Sequence, residues 1–148
     1  MAASTAAISY GEQARTTSKE AVVVLGRFLF ALIFVLSSFG HFSTQTIAYA
    51  SAQGVPLASV AVPFSGILAL LGGLSILVGY RAKMGAWLIV LFLVPVSFSM
   101  HKFWGIVDPM TAQMQMIHFM KNMSMLGGAL LISQFGAGPL SLDDRRSR

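Results

Sequence analysis

His118, Lys121, Asn122 and Met125 stand at i, i+3, i+4 and i+7. A helix across them carries all four on one face, with Gln115 one turn earlier. An imidazole, an ammonium and an amide side by side can bind a polar head group, a quinone carbonyl, an anion or a metal. A polar stripe entering an apolar helix is costly unless it faces protein or water, so it should point inward. The competing reading is a hydrogen-bonded helix start with Lys121 snorkelling outward.

The chain has three histidines, and the other two, His41 and His101, each end an apolar run. Three imidazoles suit zinc or copper, and two suit haem. The metal reading therefore names His41, His101 and His118. Their spacing matches no local metal motif, and interfacial histidines also serve as helix C-caps. Met110, Met114, Met116, Met120, Met123 and Met125 are dense enough to raise Cu(I), although methionine is more often adaptable packing.

Other chemistries find no support. There are no cysteines, which excludes thiolate metal sites, iron–sulfur ligation and thiol exchange by this chain. No Ser/His/Asp order, paired carboxylates or HExxH points to hydrolysis. The net charge of +5 comes mostly from residues flanking apolar runs, and no nucleic-acid motif accompanies it.

Only 10% of the residues are charged, 55% are hydrophobic, and the mean hydropathy is +0.74. Soluble domains carry about 25% charged residues. The elements that position the polar residues are therefore membrane helices. Four spans are expected, at about 22–39, 57–78, 84–100 and 114–134, within a transmembrane domain over 21–135. Residues 1–20 read as a flexible tail and 136–148 as a cytoplasmic tail. The first run could be a signal-peptide core cleaved near Ala48-Tyr49-Ala50. Its length and the distant cleavage site favour a transmembrane helix. Thr44 to Ala52 suggests a short helix before Gly54 and Pro56, and Asp108-Pro109 marks a turn or helix start.

Eight of the ten Lys and Arg residues, all but Lys102 and Lys121, fall on one side of a four-span topology. The positive-inside rule makes that side cytoplasmic, with both termini inside. The histidines then gather near the opposite face.

The halves look alike. GRFLFALIFVLSSFGHF and GAWLIVLFLVPVSFSMHKF both start near glycine and end in histidine and phenylalanine. Leu71-Gly72-Gly73 is echoed by Leu126-Gly127-Gly128. Two readings stand: a duplicated two-helix hairpin related by an axis along the membrane normal, or chance likeness among Gly- and Phe-rich helices.

His101-Lys102-Phe103-Trp104, the run from Gln115 to Asn122, Leu126 to Leu131, and Gly26-Arg27-Phe28 through Gly40-His41-Phe42 resemble the DoxX family of small bacterial membrane proteins. The resemblance covers most of the chain from Gly26 to Ile132. It implies a four-helix bundle in the bacterial inner membrane and a role in membrane redox systems, either beside a thiosulfate:quinone oxidoreductase or in oxidative-stress complexes with thiol-handling partners. It carries over Arg27, His41, His101, Trp104, His118, Lys121 and Asn122 as a candidate site.

The expectation is therefore an all-α, multi-pass inner-membrane protein without stand-alone enzymatic activity. It would be a membrane subunit, or a quinone- or small-molecule-binding component, of a redox system. Its associates would be the bilayer and a redox partner subunit or a second copy, with no nucleic acid. The alternatives are a non-catalytic anchor, assembly factor or carrier of a hydrophobic small molecule, and a His-ligated metal or haem site. Ligand-binding candidates are His118, Lys121, Asn122, His101, His41, Trp104, Gln115 and Arg27, with Trp104 walling the mouth.

Overall fold

Apolar length sets the main elements, and short polar signals set their ends. A computed structural model of the protein describes the backbone of residues 2–147 and the side chains of residues 17–146. Every regular element among them is helical: α1 Ala2–Ser38, α2 Thr44–Ala52, α3 Ala58–Val78, α4 Ala82–Met100, α5 Pro109–Phe135 and α6 Leu142–Ser147. A 3₁₀ turn, Phe39–Phe42, joins α1 to α2.

Among the described residues three segments are long and apolar enough to cross a membrane: Thr17–Phe42, Ala58–Val78 and Ala82–Met100. Helix α5 is as long, but Gln113, Gln115, His118, Lys121 and Asn122 dilute the apolar character of its first part. Large apolar side chains face outward, among them Leu36, Leu71, Leu91 and Leu131, each more than half exposed. So much outward apolar surface suits lipid rather than water.

The boundaries follow local chemistry. Ser43 caps α2, its Oγ accepting from the Thr46 N–H at 3.2 Å. Helix α3 ends in a Schellman motif: Gly79 adopts φ 68° and donates to the Ile76 carbonyl at 3.2 Å, and the Tyr80 N–H reaches the Ser75 carbonyl at 3.0 Å. Helix α5 begins at Pro109, before the expected 114. Asp108 caps it, with Oδ2 accepting from the Thr111 N–H at 2.8 Å, and proline suits the first helical position. Residues 2–20, expected as a loose tail, continue α1. Alanine favours helix without any apolar period, and an apolar period is what the tail reading looked for. Met1 lies outside the described residues.

Helix α3 packs against α1 and α4, and α4 packs against α5. Glycine permits the closest approaches. A Cβ on Gly72 would lie 2.8 Å from the Gly85 carbonyl oxygen, and one on Gly73 would lie 2.9 Å from Val35. The core runs through Ala31, Phe34, Ala69, Ile76, Ala86, Ile89, Phe92, Leu93 and Ala129. Phe34 and Phe92 meet edge to face at 6.2 Å. Small residues bring the helices together, and the aromatic pair bridges α1 to α4.

Candidate functional site

At the end of the bundle where α1 and α4 finish, the helices part around a cavity of about 410 Å³. This volume lies in the range of small-molecule sites. His41, His101, Lys121 and Asn122 line it together. They come from the 3₁₀ turn, the C-cap of α4 and the middle of α5. Asn122 is the central residue of α5, so the polar stripe reaches well below the expected mouth. The walls are largely apolar, including Phe34, Val62, Phe92, Leu93, Val96 and Met125.

Asn122 is only 5% exposed. Among the described residues no protein atom hydrogen-bonds its side chain. Its amide is not sealed off either, because Arg27 Nε is the one described side-chain polar atom both fully enclosed and unpartnered. A buried amide normally finds a partner, so one aimed into a cavity points to an occupant.

The imidazoles are oriented from behind. The Nδ1–H of His41 donates to the Ser37 carbonyl at 3.1 Å, and that of His101 donates to Gln115 Oε1 at 2.9 Å. Each neutral ring then keeps Nε2 for an occupant. Gly66 lets the His41 ring seat against α3, since a Cβ there would lie 2.7 Å from His41 Cβ. The His41 ring meets Phe92 edge to face at 5.5 Å.

Four candidates do not line the cavity: His118, Gln115, Trp104 and Arg27. The ring of His118 lies 5.2 Å from that of His101, so it backs the site rather than entering it. Gln115 holds His101 in the same way. Trp104 does not wall the mouth: it is half exposed and joins Phe98, Phe103 and Phe119 in a separate aromatic cluster at 5.2–6.4 Å. The post-α4 loop carries it away from the lining.

Arg27 is at the other end of the bundle, roughly 20 Å along α1 at 1.5 Å per residue. It is buried and donates from Nη1 to the Ala137 and Pro139 carbonyls at 2.9 and 3.4 Å. Its Nη2 donates to the Leu140 carbonyl at 3.2 Å. Arg27 therefore holds the segment after α5 and is not part of the cavity. That segment also returns to α4. The Asp143 carboxylate accepts from the Arg81 and Ala82 N–H groups at 2.8 and 3.0 Å, capping a helix that no local side chain caps. Arg146 lies over the Tyr80 ring at 4.7 Å.

The three histidines do not form one metal centre. His41 packs on Phe92 and Gly66 while His118 packs on His101, and among the described residues no three His, Cys, Asp or Glu side chains group around a common point. Of the dense methionines, Met125 reaches the cavity, and Met110, Met114, Met116 and Met120 are exposed on α5.

Sequence reasoning missed the hydroxyl residues of the lining: Ser37, Thr46, Tyr49, Ser65 and Ser99. Ser37 stands four residues before His41, a spacing that places both on one helical face. Three of these hydroxyls return their protons to their own helices: Ser37 to Phe34, Ser65 to Val62 and Ser99 to Pro95, at 3.4, 2.7 and 2.6 Å. Lys121, Asn122 and the rim hydroxyl of Tyr49 remain as donors.

The model of the SURF4 family matches residues 11–148. Inner membrane protein YphA of Escherichia coli K12 is 24% identical over 130 residues, covering 86% of this chain and 92% of that protein. Inner membrane protein YqjF of the same organism is 29% identical over 123 residues, covering 82% of this chain and 88% of that one. ER-derived vesicles protein ERV29 of Saccharomyces cerevisiae is 26% identical over 83 residues, which is 56% of this chain but 26% of that protein. No solved structure matches significantly. The SURF4 match overturns the DoxX resemblance. The short motifs behind that resemblance are a helix start with polar residues and a Gly-Gly contact, which many membrane helices share. The redox role it implied loses its basis with it.

Proposed function

This chain belongs to the SURF4 family of integral membrane proteins, and we propose that it binds an amphipathic small molecule in the cavity between its helices. The observation that carries this reading is Asn122: buried in the middle of α5, without a protein partner, and lining a cavity with apolar walls. The occupant's head would meet Lys121, Asn122, His41 and His101. Its apolar body would lie along Phe34, Phe92 and Leu93. A quinone carbonyl or an anion meets the head requirement, and the binding role fits a carrier as well as a subunit of a larger assembly.

We further propose that α5 is the fourth span, with both chain ends on the cytoplasmic side of the inner membrane. At about 1.5 Å per residue α5 is long enough to cross, and Lys121, Asn122 and Met125 of its polar stripe line the cavity. The charge distribution supports the orientation. The names of YphA and YqjF support the location. His41 and His101, which end corresponding helices and line the same cavity, support the duplicated hairpin.

The test is to purify the protein from membranes in an uncharged detergent and analyse extracted small molecules by mass spectrometry. A retained amphiphile, depleted in Asn122→Leu and in a cavity-filling Val62→Trp variant, is the expected result. An unloaded wild type that also takes up no added amphiphile would overturn the reading. A C-terminal reporter active only in the cytoplasm tests the orientation.

A further inference from the structure

We infer that the occupant is a single-chain amphiphile with an oxyanion head, a carboxylate or phosphate that pairs with Lys121; this rests on the cavity reading above.

The lining is asymmetric in charge. It includes Lys121, an exposed residue of α5, and no Asp or Glu. Among the described residues Lys121 has no acidic partner. The nearby carboxylate along the chain, Asp108, is taken up by the start of α5, where it accepts from the Thr111 N–H and hydroxyl at 2.8 and 2.6 Å. A cation beside an apolar cavity and one residue from the centre of α5 lacks its counter-charge, and a ligand oxyanion supplies it.

The hydrogen-bond inventory agrees. Ser37, Ser65 and Ser99 have given their protons to backbone carbonyls. The remaining fixed donors are Lys121, the Asn122 amide and the Tyr49 hydroxyl. Two or three donors within one lining suit an oxygen-rich carboxylate or phosphate head. A neutral carbonyl would leave the Lys121 charge unpaired. His41 and His101 add their Nε2 atoms, since Nδ1 of each is engaged by the Ser37 carbonyl and Gln115 Oε1.

The rest of the lining selects for an alkyl body. Ile33, Phe34, Val62, Phe92, Leu93 and Met125 present aliphatic and aromatic surface. Nothing among them offers a second charge, so a zwitterionic or doubly headed ligand finds no partner for its other head. A free inorganic anion would leave this apolar surface unfilled.

The experiment uses the full chain in nanodiscs of zwitterionic lipid and measures binding of labelled dodecanoate. Competitors are a dodecyl phosphate, dodecanol, dodecyltrimethylammonium, acetate and inorganic phosphate. Both anionic alkyl probes are expected to bind about tenfold or more tighter than dodecanol, the scale of one charge-assisted hydrogen bond. Acetate and phosphate should not compete. Lys121→Gln should abolish the tenfold preference of the anionic probes over dodecanol, and Lys121→Arg should keep it. Equal binding of dodecanol and dodecanoate would overturn the anionic head but leave the cavity reading standing. Competition by acetate or phosphate at the dodecanoate concentration would overturn the alkyl body. Binding of none of the alkyl probes would overturn the cavity reading itself.

Discussion

Two buried polar side chains in different parts of this bundle are treated differently. Arg27, 9% exposed, directs Nη1 and Nη2 at the carbonyls of Ala137, Pro139 and Leu140. Asn122, 5% exposed, meets no protein acceptor or donor among the described residues. The first is a latch: its hydrogen bonds are spent on the chain itself, and the segment it holds goes on to cap α4 through Asp143. The second is a socket: its hydrogen bonds are kept for something else. Burial alone does not separate the two roles. The presence or absence of protein partners does.

The largest effect that would test this contrast is at the latch. Arg27→Met should destabilise the protein by about 3 kcal/mol, because charged hydrogen bonds are lost and carbonyls are left buried. Thermal unfolding in detergent measures this, and cleavage after Arg145 or Arg146 by trypsin should accelerate. Unchanged protease resistance would show that Arg27 does not hold the C-terminal segment. Next comes Gly66→Ala. The added Cβ meets His41 Cβ and the Ser38 carbonyl oxygen at 2.7 and 3.1 Å, so about 1–3 kcal/mol of overpacking is expected. Ligand retention should fall with it as His41 shifts.

Asp143→Ala removes the cap on α4 and should cost about 1 kcal/mol, with no change in ligand retention. Asn122→Leu should move stability by less than about 1 kcal/mol in the unliganded protein, since no protein hydrogen bond is lost. Retention should drop sharply. A loss of stability as large as that of Arg27→Met would make Asn122 a structural residue and erase the contrast.

The smallest effect is a pH dependence at the socket end. Hydrogen bonds from the Thr111 hydroxyl and N–H hold the Asp108 carboxyl below its ordinary value. A folded-state value below the unfolded one, about 3.9, stabilises above that pH and is lost as pH falls through the folded value. Acid should therefore loosen the start of α5, and Asp108→Asn should flatten that part of the acid unfolding profile. An unchanged profile would mean the cap contributes nothing measurable.

Much of this was legible in order along the chain. The apolar runs predicted α3 and α4 to within two residues, the short helix expected over Thr44 to Ala52 is α2, and Asp108-Pro109 marked the start of α5. Of the residues that the i, i+3, i+4 arithmetic grouped, Lys121, Asn122 and Met125 line one cavity. The same arithmetic could not tell that His118, on the edge of that arc, turns to the ring of His101. Trp104 and Arg27 were grouped with the site because short motifs name residues without saying where they meet. The DoxX resemblance failed for the same reason: the motifs were real, but they are ordinary features of membrane helices.

The amino-acid sequence by itself determined the helices and the bilayer-facing surface, because both follow from composition and local period along a single axis. Only the tertiary structure decided that Arg27 closes a latch and that Asn122 opens onto a cavity. Whether a buried donor is satisfied depends on atoms from helices distant in sequence, and no spacing along one helix contains that information.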